Sequence, residues 1–134
     1  TGSTMPKKAE VQEFQELQQQ LELLQKYAEE LDEKLAEYAS TKESLAEMQQ
    51  VKTGTSLFVP VAPSFFAKVS AGSFSELLVS VGANVAVTKT IPQALQFIDS
   101  QIKEIEQAKS HIGTTMQETA ERASVLLAEF NGTV

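Results

Sequence analysis

The 134-residue chain contains no cysteine and no tryptophan, a single histidine, six glycines and four prolines. The absence of thiols removes disulfides, thiol catalysis and cysteine-based metal sites together. The lone histidine, His111, has no acid four residues on and falls at a solvent-facing heptad position, so no metal-ligand set forms around it. No glycine-rich run ends in lysine and serine or threonine, so no phosphate-cradling loop is encoded, and no cofactor is expected. No apolar stretch approaches the roughly 20 residues of a membrane span, and no signal peptide is visible. The chain is therefore expected to be soluble, cytoplasmic and free of membrane contacts. Positive charge is also scarce: 11 Lys and Arg against 18 Asp and Glu leave a net charge of −7. An acidic surface repels phosphate backbones, which argues against nucleic acid as a partner. Thr1 to Thr4, a small-polar run before Met5, reads as a remnant preceding the fold, and residues 1–5 are set aside on that ground.

What the chain does have is helical periodicity on both sides of a charge-poor middle. Between Lys7 and Lys52, apolar residues recur in steps of three and four at Phe14, Leu17, Leu21, Leu24, Ala28, Leu31, Leu35, Tyr38 and Leu45, with Lys42 as the one charged interruption. This is an a/d seam, Phe14 at a and Leu17 at d. The rhythm returns at Ile91, Leu95, Ile98, Ile102, Ile105, Lys109, Ile112, Met116, Thr119, Ala123, Leu126 and Phe130. Two such stretches predict a long antiparallel coiled-coil hairpin, on the order of 55 Å along the paired segment at the α-helical rise. Acid lies on the helices: residues 6–53 carry −5, 91–131 carry −3 and the middle +1. A solvated coiled-coil exterior accounts for it. Pairs such as Glu29-Glu30 and Asp32-Glu33 are therefore read as surface acids, since acid–base catalysis needs a pocket that perturbs pKa values and a two-helix rod offers none. No catalytic residue is assigned.

The boundaries are marked by local chemistry. Val51-Lys52-Thr53-Gly54 predicts a helix end near Lys52, with the glycine in a left-handed C-terminal position. Thr90, Pro92 and Gln93 form a capping-box start for the second helix, and Asn131-Gly132 forms its stop. The expected divisions are thus a helix over 6–53, two β-hairpins over 54–90, a helix over 91–131 and a tail over 132–134. In the middle, Leu57 to Val61 and Phe65 to Val69 predict one hairpin across Ala62-Pro63-Ser64. Leu77 to Val81 and Val85 to Lys89 predict a second across Gly82-Ala83-Asn84, where Gly82 and Asn84 tolerate positive φ. Two short hairpins are marginal alone, so their strands are expected to complete a sheet or barrel with other subunits. A self-contained four-stranded sheet on the helix bases is the competing arrangement.

Three finer features follow. With Val51 opposite Ile91, Lys109 comes to the level of Asp32 and Glu33, which predicts a snorkelling ion pair at a polar seam position. Gly113-Thr114-Thr115, with Thr119 at d, combines poor helix formers and marks a candidate soft spot. At the helix termini Val11, Phe14 and Leu17 face Leu126, Leu127 and Phe130, with Val125 alongside. Val11, Val125 and Leu127 lie off the seam, which predicts an exposed interaction surface.

Helix, two hairpins and helix, with Leu57-Phe58-Val59-Pro60-Val61, Ser64-Phe65-Phe66 and the run from Leu77 to Val87, resemble the alpha class of the prefoldin family. The Ala62-Pro63-Ser64 turn departs from the glycine-containing turn of many alpha-class members. The resemblance implies a mainly α protein with a small β region, its strands joining an intersubunit β-barrel in a hexamer of two alpha and four beta-class subunits. It implies an ATP-independent holdase, not an enzyme, that captures unfolded client proteins and delivers them to a group II chaperonin. On this likeness Val11, Phe14, Leu17, Leu126, Leu127 and Phe130 would contact client. Leu57, Val59, Phe65, Leu78, Val79, Val81, Val85 and Val87 would build the assembly platform. A prefoldin-like scaffold forming a homo-oligomeric ring or filament is the alternative.

Overall fold

The computed structural model describes residues 8–131; the remnant assigned to residues 1–5 and the tail at 132–134 lie outside the described residues. The order is α1 (Lys8–Gln49), β1 (Ser56–Ala62), β2 (Phe65–Ser70), β3 (Leu77–Gly82), β4 (Val85–Lys89) and α2 (Ile91–Phe130). The described chain forms two compact units that cut across the helices: residues 8–35 with 103–131, and residues 36–102.

In the second unit the seam meets the strands' supporting loop. Leu45, Ile91, Ala94 and Ile98 are buried, with Tyr38, Met48, Phe74, Leu77, Leu95, Phe97 and Ile102 packed around them. Phe74 sits in an otherwise small and polar loop, and its contribution was not legible from periodicity. Lys42 takes a seam position without being stranded, because its ammonium donates to Asp99 at 2.7 Å. The start of α2 is a reciprocal box: Thr90 N–H donates to Gln93 Oε1 at 3.0 Å, and Gln93 N–H to Thr90 Oγ1 at 3.2 Å. Lys89 lies over the Phe97 ring, 5.5 Å from its centroid, tying the end of β4 to α2.

The end of α1 differs from expectation. The helix stops at Gln49, and Gly54 serves a separate β-turn closed by Thr55 N–H to Lys52 C=O at 3.1 Å. Gly54 holds φ +92 there and donates to Ala71 C=O at 2.7 Å, so its positive φ starts the hairpin rather than ending the helix.

The strands form two separate antiparallel pairs, β1 with β2 and β3 with β4, and not one four-stranded sheet. Each is kinked near its turn by a register shift, between Pro60 and Ala62 in β1 and between Ser80 and Gly82 in β3. In the first hairpin Ser64 adopts φ 66, so a serine occupies the left-handed position that glycine takes without strain. In the second, Gly82 at φ 100 precedes Ala83 at φ 50 and Asn84 at φ 60. Two consecutive left-handed residues are what a two-residue hairpin of matching twist requires. Gly82 and Asn84 are read correctly by residue type; Ala83 is strained and carries no signal of it.

In the first unit Thr119, Ala123 and Leu126 are the buried residues of α2. Lys109 pairs with Asp32, as the register predicts. The Gly113-Thr114-Thr115 stretch lies within unbroken helix, and the hydroxyls of Thr114, Thr115 and Thr119 each donate to the carbonyl four residues back.

A methyl group added at Gly113 meets no atom within 4 Å and the backbone there is helical, whereas Gly82 has equal space but a left-handed backbone. Gly113→Ala should therefore raise unfolding free energy by about 0.5–1 kcal/mol. Gly82→Ala should lower it by about 1–2 kcal/mol, both read by denaturant unfolding of the whole chain.

Candidate interaction surfaces

Two sets of apolar side chains are left uncovered, one in each unit. In the unit of residues 8–35 and 103–131, Phe14 and Phe130 meet edge to face, centroids 5.5 Å apart at 73°. Beside them Arg122 grips Glu13 with both ends of the guanidinium, Nε to Oε1 at 2.9 Å and Nη2 to Oε2 at 3.2 Å. The paired geometry fixes the level of the two helices, since a fork-to-fork contact tolerates little sliding. The guanidinium holds the Glu13 carboxyl below the usual carboxylate range, chiefly through the hydrogen bond, and Glu13 in turn raises Arg122.

The six residues expected at this end do not share one environment. Leu126 is fully enclosed at 0% exposure and has no surface to offer a partner as the helices stand. It is the plug of the helix pair. Val11, Phe14, Leu17 and Phe130 are half-buried, and Leu127 at 47% stands clear, as does Val125. Farther along α1, Leu23 and Tyr27 are exposed off the seam, a pair the a/d reading passes over because it follows only one stripe.

In the unit of residues 36–102, both hairpins present apolar side chains to solvent. Val59, Phe65, Leu78, Val81 and Val85 are exposed, Leu78 at 76%, while Leu57, Val79 and Val87 are half-buried. Phe58 at 70%, Val61, and Phe66 at 62% are uncovered as well and lie outside the expected set. Strict alternation along β1 is the signal that finds Phe58, since it puts Phe58 and Pro60 on the face opposite Leu57 and Val59. A groove of about 410 Å³ between the end of α1, the loop at 72–75 and the start of α2 is lined by uncharged residues such as Met48, Val51, Phe74 and Pro92. It supplies no acid–base group.

No cluster of three or more potential metal ligands occurs among the described residues, and no described helix is long and apolar enough to cross a membrane. His111 is exposed. Large apolar side chains are left exposed in both units.

Comparison with known proteins agrees with this layout. The family model described as prefoldin subunit matches residues 17–134. The chain belongs to the prefoldin family. It is 28% identical over 129 residues to the prefoldin subunit alpha of Archaeoglobus fulgidus, covering 93% of this chain and 94% of that one. It is 25% identical over 126 residues to prefoldin subunit alpha of Nitrosopumilus maritimus, covering 90% and 87%. A filamentous prefoldin from Methanocaldococcus jannaschii superposes with a TM-score of 0.75 at 21% identity, over 88% of this chain and 98% of that one, a likeness of fold. With its two hairpins and these relatives, the chain is an alpha-class prefoldin subunit, a chaperone component that assembles with other prefoldin subunits.

Within this prefoldin subunit the pH dependence has a definite sign. Because Glu13 is easier to ionise folded than unfolded, its contribution is present at neutral pH and is lost as pH falls through its lowered value. The Tm difference between wild type and Glu13→Gln should be constant near neutrality and shrink to nothing in acid. Leu126→Ala should cost about 2–4 kcal/mol in unfolding free energy, as for a plug removed from a closed site. Leu127→Ala should stay within about 0.5 kcal/mol of wild type.

Proposed function

We propose that this subunit works as an ATP-independent holdase in the cytoplasm. It assembles through its strands into a hexamer of two alpha and four beta-class subunits, holds non-native proteins with the ends of its helices and passes them to a group II chaperonin. The observation that carries the reading is the split at the helix ends: Leu126 is sealed while Leu127 and Val125 face solvent beside a half-buried aromatic pair. A closed seam needs only the first. Val11, Phe14, Leu17, Leu127 and Phe130 form the client surface in this proposal, and Leu126 holds their backbone in place.

Weak apolar contacts suit capture and release. Several subunits acting on one client add through effective concentration, so each contact can let go quickly while the assembly retains its load. The strand residues Leu57, Val59, Phe65, Leu78, Val79, Val81, Val85 and Val87, joined by Phe58, Val61 and Phe66, supply the assembly surface. The likeness to a filamentous prefoldin favours a second reading, a homo-oligomeric ring or filament that serves as scaffold. Native mass separates the two, since the chaperone reading requires a hexamer containing a beta-class subunit.

Phe14→Ala combined with Phe130→Ala should weaken suppression of aggregation of a chemically denatured client several-fold, with hexamer mass unchanged. Leu127→Ala should do the same in part without loss of stability. Holdase activity equal to wild type in both variants would remove the helix ends from the mechanism.

A further inference from the structure

The net charge of the described chain is concentrated in one of its two units. Residues 8–35 with 103–131 hold six Lys or Arg against thirteen Asp or Glu, a net −7, whereas residues 36–102 hold four Lys against five acids, a net −1. In the acidic unit Leu23 is 64% exposed and Tyr27 57%, both more open than Val125 or Leu127 at the helix ends. The two stand four residues apart on α1 and so share one face. Both lie off the a/d seam, and their own unit leaves them uncovered. Glu16 and Glu30 fall two turns to either side of Leu23, on the same face, and between residues 16 and 34 six acids stand against Lys26 and Lys34. From Leu23 back toward Phe14 the exposed residues Gln18, Gln19 and Gln20 carry no charge.

We propose that Leu23 and Tyr27 form a second client contact, set back from the helix ends, and that the acid around them selects non-native segments in which Lys or Arg stand beside apolar residues. The inference rests on the holdase reading above and names its substrate class. Along α1, Leu23 lies on the order of 14 Å from Phe14 at the helical rise. An extended segment of roughly four residues spans that distance at the rise of a strand. The glutamine amides between the two can both donate to and accept from its backbone. Apolar contact alone takes any exposed hydrophobic segment. The field of a unit at −7 adds attraction for a cationic segment and repels an acidic one, so charge supplies the discrimination that apolar adhesion lacks. The same field opposes a second copy of this chain as the occupant, since that would bring two units of −7 face to face. The ligand that fits is an unfolded segment, apolar and basic.

The test uses the full chain and two unstructured peptides with the same apolar residues, one with lysine and one with glutamate at its polar positions, each carrying a photoreactive group. At about 0.01 M salt the lysine peptide should bind about fivefold or more tightly than the glutamate peptide, and at about 1 M, where screening is nearly complete, the ratio should fall below about twofold. Photocrosslinks of the lysine peptide, mapped by mass spectrometry, should fall between residues 16 and 30 as well as at the helix ends. Leu23→Gln combined with Tyr27→Gln should weaken the lysine peptide several-fold and remove the crosslinks between residues 16 and 30. Both positions are exposed, so circular dichroism should match wild type. Glu16→Gln combined with Glu30→Gln should narrow the preference for the lysine peptide without weakening the glutamate peptide. Equal binding of the two peptides at low salt, or wild-type affinity for the lysine peptide in the Leu23 and Tyr27 variant, would show the inference to be wrong. Self-association of the chain alone that this variant abolishes would assign the pair to a second copy and overturn it equally. A chain that binds neither peptide overturns the holdase reading itself, a distinct result.

Discussion

A two-helix seam can bury one stripe of each helix and no more, and this geometric limit governs the rest of the molecule. Only seven apolar residues are buried among the described residues, so the chain has few places where packing alone fixes the structure. Register must then be set by polar contacts. Glu13 with Arg122, Asp32 with Lys109 and Lys42 with Asp99 meet in an order that only antiparallel helices produce. Exposed ion pairs contribute little energy each. Their value here is that a shift of one heptad in either direction would put Gln25 or Ala39, not Asp32, at the level of Lys109.

The same limit explains why polar groups are accepted inside the seam. Thr119 is buried in a helix that has no second layer to complete its core, and its hydroxyl is satisfied by the carbonyl four residues back. Nothing buried is left without a hydrogen-bond partner among the described side chains. A larger apolar residue at that level would add area but would need a third element to cover it. Local satisfaction replaces depth.

Much of this was legible in sequence because repetition is robust to local error. The step of three and four from Phe14 to Leu45 and from Ile91 to Phe130 specifies two helices and a shared face, and Lys109 could be matched to Asp32 once the register was set. The Thr90 and Gln93 pair gave the start of α2 because both hydrogen bonds are made by neighbours in sequence. The failures have a common cause in tertiary closure. Gly54 is a helix-stop residue by type, yet a backbone bond to Ala71 claims it for the hairpin. Phe74 looks like a loop residue until the start of α2 and the end of α1 are placed beside it. Periodicity puts Leu126 in the seam and Leu127 off it, but only packing shows that Leu126 is closed completely and has no surface for a client. Phe58 was passed over because the expected platform followed one apolar face, while the first hairpin has two.

The hairpins bring stability and assembly together. Two-stranded sheets are marginal in water, and these present side chains such as Phe58, Phe65 and Leu78 without cover from their own unit. A surface that binds the folded strands but not the unfolded chain stabilises them by mass action. If association runs through the strands, as proposed above, it belongs inside the folding equilibrium of the strand unit, and the stability of that unit depends on protomer concentration. The helix pair of residues 8–35 and 103–131 has its own internal contacts, the Phe14 and Phe130 rings and the Arg122 fork among them, and none of these involves a strand residue. In the proposed function one of these surfaces is committed to association and the other binds and releases, and each draws on side chains of a different unit. A single continuous core would have coupled the two.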